Sequence, residues 1–278
     1  MAQTWRQEVQ ESQDIQGLPG DVAINDVAID DAAIGVATGQ TAVQSATHAI
    51  SCHRTSIGIV SLALAVVALA IVEGLILRSN TADHVAEMRL ILAAGARWAA
   101  FVPAAHTIAV CFSAVVAVPV IVVLLGVIWA VTRSAGQMLR GLAMAALPMA
   151  VVGLIKTIVD RPRPSTARGA LMPDPSFPSG HTACSVVVVS LALFALHVID
   201  ARIKDSRGLA GTAVQSSQSP LVWRVLRTVL TVILVVVPFV VALSRVIYGV
   251  HYPTDVCTSL VLTPVLVWCV YRLCDPAR

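Results

Sequence analysis

The amino-acid sequence predicts an all-α polytopic membrane protein built as a bundle of six transmembrane helices, and three observations carry that expectation. The chain of 278 residues is 57% hydrophobic and only 13% charged, whereas a soluble domain carries about a quarter charged residues. It contains six apolar runs, each roughly 18 to 28 residues long, enough to cross a hydrocarbon core of about 30 Å. The polar residues near the ends of the later runs return to one face of the membrane after each crossing. A soluble enzyme is excluded by the first observation, and a disordered chain by the same hydrophobicity. Six cysteines without a CxxC pair are too sparse for a disulfide scaffold, and those at 111, 184, 257 and 269 read as small buried hydrophobes.

In chain order, residues 1–54 read as an acidic flexible cytoplasmic tail, and residues 55–278 as the membrane domain. The first 50 residues hold seven acids against the single base Arg6, and Asp21 to Gly35 repeats a five-residue unit as DVAIN, DVAID, DAAIG. Three copies are too few for a solenoid, and the composition gives the tail no core. No run within it suits a signal peptide, so the first apolar run is expected to be an uncleaved anchor. The expected helices are Ser56 to Leu77, Ala104 to Val131, Leu139 to Val159, Thr182 to Ile199, Val225 to Leu243 and Thr254 to Cys274. A helix satisfies its own backbone in lipid, which no other open element does. Pro119, Pro148, Pro238 and Pro264 fall inside four of them, and neighbouring helices can tolerate the resulting kinks. Between the first two, Arg78 to Pro103 mixes apolar and charged residues, which predicts a short interfacial helix near Trp98.

With the N-terminus placed in the cytoplasm, Arg54, Arg133, Arg140, Arg202, Lys204, Arg207, Arg224, Arg227, Arg272 and Arg278 lie inside. Outside lie Arg78, Arg89 and Arg97, together with a second group: Lys156, Arg161, Arg163, Arg168 and Arg245. The positive-inside balance favours this orientation if the second group has its own reason to be outside. Taken over the whole chain, the bases are scattered at the ends of apolar segments and form no clustered basic patch, so no nucleic-acid partner is expected.

The second group belongs to a constellation with the character of a phosphate site. Lys156, Arg163 and Arg245 supply three positive charges, the arginines as planar forks suited to phosphate oxygens. Ser179 and Gly180 precede a helix whose free N–H groups favour an anion. Pro162 and Pro164 force an extended path after Lys156 that can fold Arg163 back towards the same pocket. His251 has Asp255 four residues on, within reach of one ring nitrogen, which leaves the other able to attack phosphorus. His181 can protonate the departing oxygen and then activate water. Singly, each has a structural alternative: His181 as a helix cap, His251 with Asp255 as a structural hydrogen bond. Together, in this order and on one face, they favour catalysis. Glu73 reads as an interfacial side chain that snorkels, His106 and His197 as packed or solvated, and His84, Asp83 and Glu87 as a solvated face.

These residues resemble the type 2 phosphatidic acid phosphatase superfamily, which includes lipid phosphate phosphatases and bacterial polyprenyl diphosphatases. Its signature K-x6-RP, PSGH and SR-x5-H-x3-D is matched by KTIVDRPRP from Lys156 to Pro164, PSGH from Pro178 to His181, and SRVIYGVHYPTD from Ser244 to Asp255. The resemblance implies six transmembrane helices, an active site at the outer face, and hydrolysis through a phosphohistidine without a metal or other cofactor. It implies His251 as nucleophile, Asp255 as its orienting partner, and His181 as general acid and then base. Lys156, Arg163, Ser179, Gly180 and Arg245 would hold the phosphate, with the x6 spacing selecting Arg163 over Arg161.

The expected function is therefore that of a multi-pass membrane lipid phosphatase whose partners are a lipid phosphate substrate and the surrounding lipids. Undecaprenyl or a related polyprenyl diphosphate is the first expected substrate, because 17 Arg against 2 Lys suggests a GC-rich bacterial genome. Phosphatidic acid and phosphatidylglycerophosphate are the alternatives. A non-catalytic lipid-phosphate binder or transporter would use the same cations but would not need a nucleophile paired with an acid. A metal hydrolase using His251 and Asp255 as ligands is disfavoured, because the neighbouring cations would repel a metal. The sequence does not bear on oligomeric state.

Overall fold

The computed structural model describes residues 55–166, 168–209 and 220–275, so the acidic tail and its repeat lie outside the described residues. The helices are α1 (Thr55–Ser79), α2 (Thr81–Arg97), α3 (Val102–Cys111), α4 (Ala114–Thr132), α5 (Ala135–Val159), α6 (Gly180–Leu209), α7 (Pro220–Tyr248) and α8 (Pro253–Leu273). Short 3-10 turns occupy Ala99–Phe101 and Gly169–Leu171, and the described residues contain no strand. Six of the helices, α1 and α4 to α8, have the length and apolar character of membrane spans.

Two boundaries depart from expectation. The apolar stretch from Ala104 to Val131 is not one helix: α3 ends at Cys111, Phe112 and Ser113 break the chain, and α4 begins at Ala114. The Ser113 hydroxyl donates to the Val110 carbonyl, so the break caps one helix and starts the next without a change in hydropathy. The segment before it is also more ordered than expected. α2 is a 17-residue helix, capped by the Asn80 side chain accepting from Ala82 and Asp83 N–H. At the other end of the bundle α6 continues past Ile199 to Leu209.

The core forms around α6, which packs against α4, α5, α7 and α8. Val187, Leu191, Phe194, Ala195 and Val198 of α6 meet Ile128, Met144, Ala145 and Val267. A second cluster joins Ala70 of α1 to Ile155 and Val159 of α5, Phe177, and Leu262 and Leu266 of α8. Gly74 is required there: a Cβ at this position would lie 2.6 Å from the Phe177 ring and 2.8 Å from Val159. A third cluster seats Ile91 of α2 on Ala242 and Val246 of α7 and on Tyr252 and Val256 at the start of α8. Many large aliphatic side chains are exposed along the spans, as a lipid-facing surface requires. Cys111 and Cys257 belong to that surface, so only Cys184 and Cys269 are the buried hydrophobes expected.

Candidate functional site

Local sequence brings the four chain segments of the site together at one end of the bundle. α5 stops at Asp160, whose left-handed conformation (φ 46°) closes the last turn, and Arg78 of α1 donates to the Val159 carbonyl at 2.9 Å. Prolines then hold residues 161 to 164 out of helix, and this strand-like stretch pairs with the segment leading into α6. The Ser176 N–H donates to the Arg161 carbonyl at 2.8 Å and its hydroxyl to Pro162 at 3.1 Å. Next, the Ser179 N–H donates to the Asp255 carbonyl at 3.2 Å, while the Ser259 hydroxyl donates to the Ser179 carbonyl at 3.1 Å. The start of α6 is thereby fixed on the first turn of α8. After α7 the chain turns at Gly249 (φ 80°), whose carbonyl accepts from the Thr166 hydroxyl at 2.6 Å.

His251 lies at the centre and is 1% exposed. Its Nδ1 is 3.4 Å from Asp255 Oδ2, and its Nε2 is 3.2 Å from an Arg163 amino nitrogen. A carboxylate can only accept, so Nδ1 carries the proton, and Nε2 presents its lone pair towards the Arg163 guanidinium. Burial pushes the His251 ring down to about 4 against the opposing pull of Asp255. The imidazole is therefore neutral at ordinary pH, as a nucleophile must be.

Arg163 also donates to the Val250 carbonyl at 2.8 Å and, through its other amino group, to Asp174 Oδ1 at 2.7 Å. Lys156 donates to Asp174 Oδ2 at 3.1 Å and to the Pro175 carbonyl at 2.5 Å. One carboxylate thus bridges the two cations expected to hold phosphate. Burial alone would raise the Asp174 carboxyl, but the charges of Lys156 and Arg163 outweigh it and hold it at about 2. Gly180 lies against Lys156, whose Cε would be 3.6 Å from an added Cβ. His181 stands within electrostatic reach of Arg245, His251 and Arg163. Arg245 is 2% exposed and donates through Nε to the Ser244 hydroxyl at 3.2 Å and through an amino group to the Ala105 carbonyl of α3. Every residue selected from the sequence therefore reaches this end of the bundle, with Arg245 anchored to a backbone carbonyl.

Three participants were not foreseen. Asp174 is one; its only sequence signal is an acid between two prolines shortly before PSGH. Arg161 is the second: fully buried, it donates from one amino group to Asp255 Oδ1 at 2.7 Å and Thr254 Oγ1 at 2.8 Å. The third is Glu87, expected on a solvated face but 7% exposed in the structure. Its Oε2 accepts from the other Arg161 amino group at 2.5 Å, and its Oε1 from the N–H and hydroxyl of Thr254 at 3.0 and 2.7 Å. Removing one partner from a buried ion pair of this kind costs about 3–5 kcal/mol. Glu73, expected to snorkel, accepts from the Thr258 hydroxyl at 3.0 Å.

The PAP2 superfamily profile matches residues 137–277, the half of the chain running from α5 to α8. Among solved structures, the chain is similar to a transmembrane PAP2-type phosphatidylglycerolphosphate phosphatase from Bacillus subtilis, at 20% identity and a TM-score of 0.56, covering 77% of this chain and 93% of that one. That likeness concerns the fold. No curated protein matches the chain.

Proposed function

The chain belongs to the PAP2 superfamily, and on that premise we propose that it hydrolyses the terminal phosphate of a membrane lipid phosphate or diphosphate through a phosphohistidine at His251. The observation that carries this reading is the His251 ring itself. Its Nδ1 rests on Asp255, and its Nε2 faces the guanidinium of Arg163. A phosphate held by Arg163 and Lys156 in place of the Asp174 carboxylate would set its phosphorus beside that lone pair.

In the first step Nε2 forms a bond to phosphorus and the bond to the leaving oxygen breaks, while His181 donates a proton to that oxygen. The ring gains positive charge, which Asp255 stabilises at Nδ1. In the second step His181 takes a proton from water, the oxygen attacks phosphorus, and the P–N bond breaks to release phosphate and neutral His251. Lys156, Arg163 and Arg245, with the N–H groups at the start of α6, stabilise charge on the equatorial oxygens in both steps. No metal is needed for either.

Within this class we assign polyprenyl diphosphate as the first substrate to test, as expected from the arginine-rich, lysine-poor composition. Phosphatidylglycerophosphate is the second, because the fold neighbour is named for it, and phosphatidic acid the third. We also assign both termini to the cytoplasm and the site to the outer leaflet of a bacterial cell membrane, from the distribution of Arg and Lys. The test is phosphate release by purified protein in detergent with EDTA, across the three lipids, with His251→Ala as the blank. Release that vanishes in the variant supports the mechanism, and retained release removes His251 as nucleophile. Activity lost to EDTA and restored by zinc or magnesium would replace the metal-free scheme.

A further inference from the structure

The role of Glu87 follows from counting charge in a place that water does not reach. Asp255 offers Oδ2 to His251 and to the Tyr252 N–H, the latter at 2.9 Å. Its Oδ1 meets Arg161. Arg161 is wholly buried, with the Tyr252 ring 4.1 Å from its guanidinium carbon and, among the described residues, no hydrogen-bond partner at Nε. Alone, a guanidinium at this distance would neutralise Asp255, because the attraction between such charges is strong in a medium of low dielectric. Nothing would remain to balance the positive charge that His251 acquires when its Nε2 bonds to phosphorus. Glu87 supplies the missing charge. It takes the opposite amino group of Arg161, so that Glu87, Arg161 and Asp255 together carry one net negative charge directed at the His251 ring.

We infer that Glu87 of α2 is a positioning residue for the phosphoryl transfer, acting through Arg161 to keep Asp255 both oriented and anionic towards His251. The inference rests on His251 being the nucleophile with Asp255 as its partner, as proposed above. Two further contacts fit it. Glu87 also accepts from the backbone N–H and hydroxyl of Thr254, which fixes the residue beside Asp255. His84, one turn earlier on α2, has Nδ1 3.3 Å from the Tyr252 hydroxyl. Thus α2 holds the segment from Tyr252 to Asp255 at two points. Because Glu87 touches neither the phosphate cations nor His181, its loss should weaken chemistry and leave substrate binding intact.

The experiment is a double-mutant cycle on the full chain with the best of the three lipid substrates. Glu87→Gln keeps shape and removes charge, and it is expected to lower kcat by about 10- to 100-fold, the scale of lost outer-shell support, with KM unchanged. Combined with Asp255→Asn it should add little to the loss that Asp255→Asn causes alone, since the path it serves is already cut. Unchanged kcat, a shift confined to KM, or a full additional loss in the double variant would each overturn the inference. Arg161→Lys tests the same path from its middle should Glu87→Gln not fold; it keeps the charge but loses the fork, and it is held to the same criteria. His251→Ala in the same series separates the two levels of failure. Turnover that persists there overturns the mechanism, whereas an inactive His251→Ala beside a fully active Glu87→Gln overturns only the role of Glu87.

Discussion

Burial governs the protonation of His251. A ring whose pKa is held near 4, below the unperturbed value of about 6.5, stays neutral as pH falls through the range where an exposed histidine would take up a proton. With His251 as the proposed nucleophile, the acid limb of kcat/KM is therefore expected near pH 4, and a limb at 6 to 7 in a pH–rate profile would contradict the burial. The same shift makes the fold sensitive to acid. The unfolded chain binds a proton at His251 before the native one does, so stability present above about pH 6.5 falls as pH drops towards 4. Asp174 gives a second prediction. Its side chain is 52% exposed and bridges Lys156 and Arg163, so a phosphate bound as proposed would displace it from pairs of modest strength. Asp174→Asn should lower KM and strengthen inhibition by inorganic phosphate roughly 2- to 5-fold, matching about 0.2–1 kcal/mol for an exposed pair. A raised KM would mean that Asp174 organises the cations and does not compete for them. The motif residues were legible in the sequence because each carries a distinctive chemistry at fixed spacing. Glu87 and Asp174 were not, because a lone acid in a mixed segment has no periodicity to mark which neighbour it meets.

The six spans were legible at the scale of elements, since length and hydropathy decide them. α2 was visible only as a hint of an interfacial helix. Asp83, Glu87, Arg89 and Arg97 interrupt its apolar residues, and Glu87 enters the interior paired with Arg161, a pairing no sequence window contains. The break at Phe112 and Ser113 was invisible because both flanks are equally apolar. Gly74 illustrates a contact that the pattern of a transmembrane helix conceals: it admits Phe177, two residues before Ser179, against α1. Gly74→Val should push Phe177 and Val159 aside, destabilising the protein by about 1–3 kcal/mol and weakening phosphate binding. Thermal unfolding in detergent beside a KM measurement checks both, and an unshifted melting temperature would show that the helices can part at no cost.

At the scale of the whole molecule, α6 links two polar clusters through an apolar middle. Its first turn carries His181, and towards its far end Asp200 accepts from Trp223 at 3.0 Å and from Arg227 at 2.7 Å. The proposed orientation sends the first cluster outside and the second to the cytoplasm. In intact cells Arg168→Cys, at an exposed position near the site, should react with a membrane-impermeant maleimide. Cys274, exposed at the opposite end, should react only after the membrane is opened, and the reverse pattern would invert the topology. A site with the proposed function would work within a sheet of phosphodiester headgroups far more abundant than its substrate. A resident carboxylate brings one negative charge to the cations, and a diester brings no more, so bulk lipid gains nothing by displacing it. A terminal monoester carries about −1.5 to −2 at neutral pH and does gain. On the proposed function, the loop that carries Asp174 would act as a charge threshold, admitting lipids that still own a removable phosphate and ignoring the rest of the leaflet.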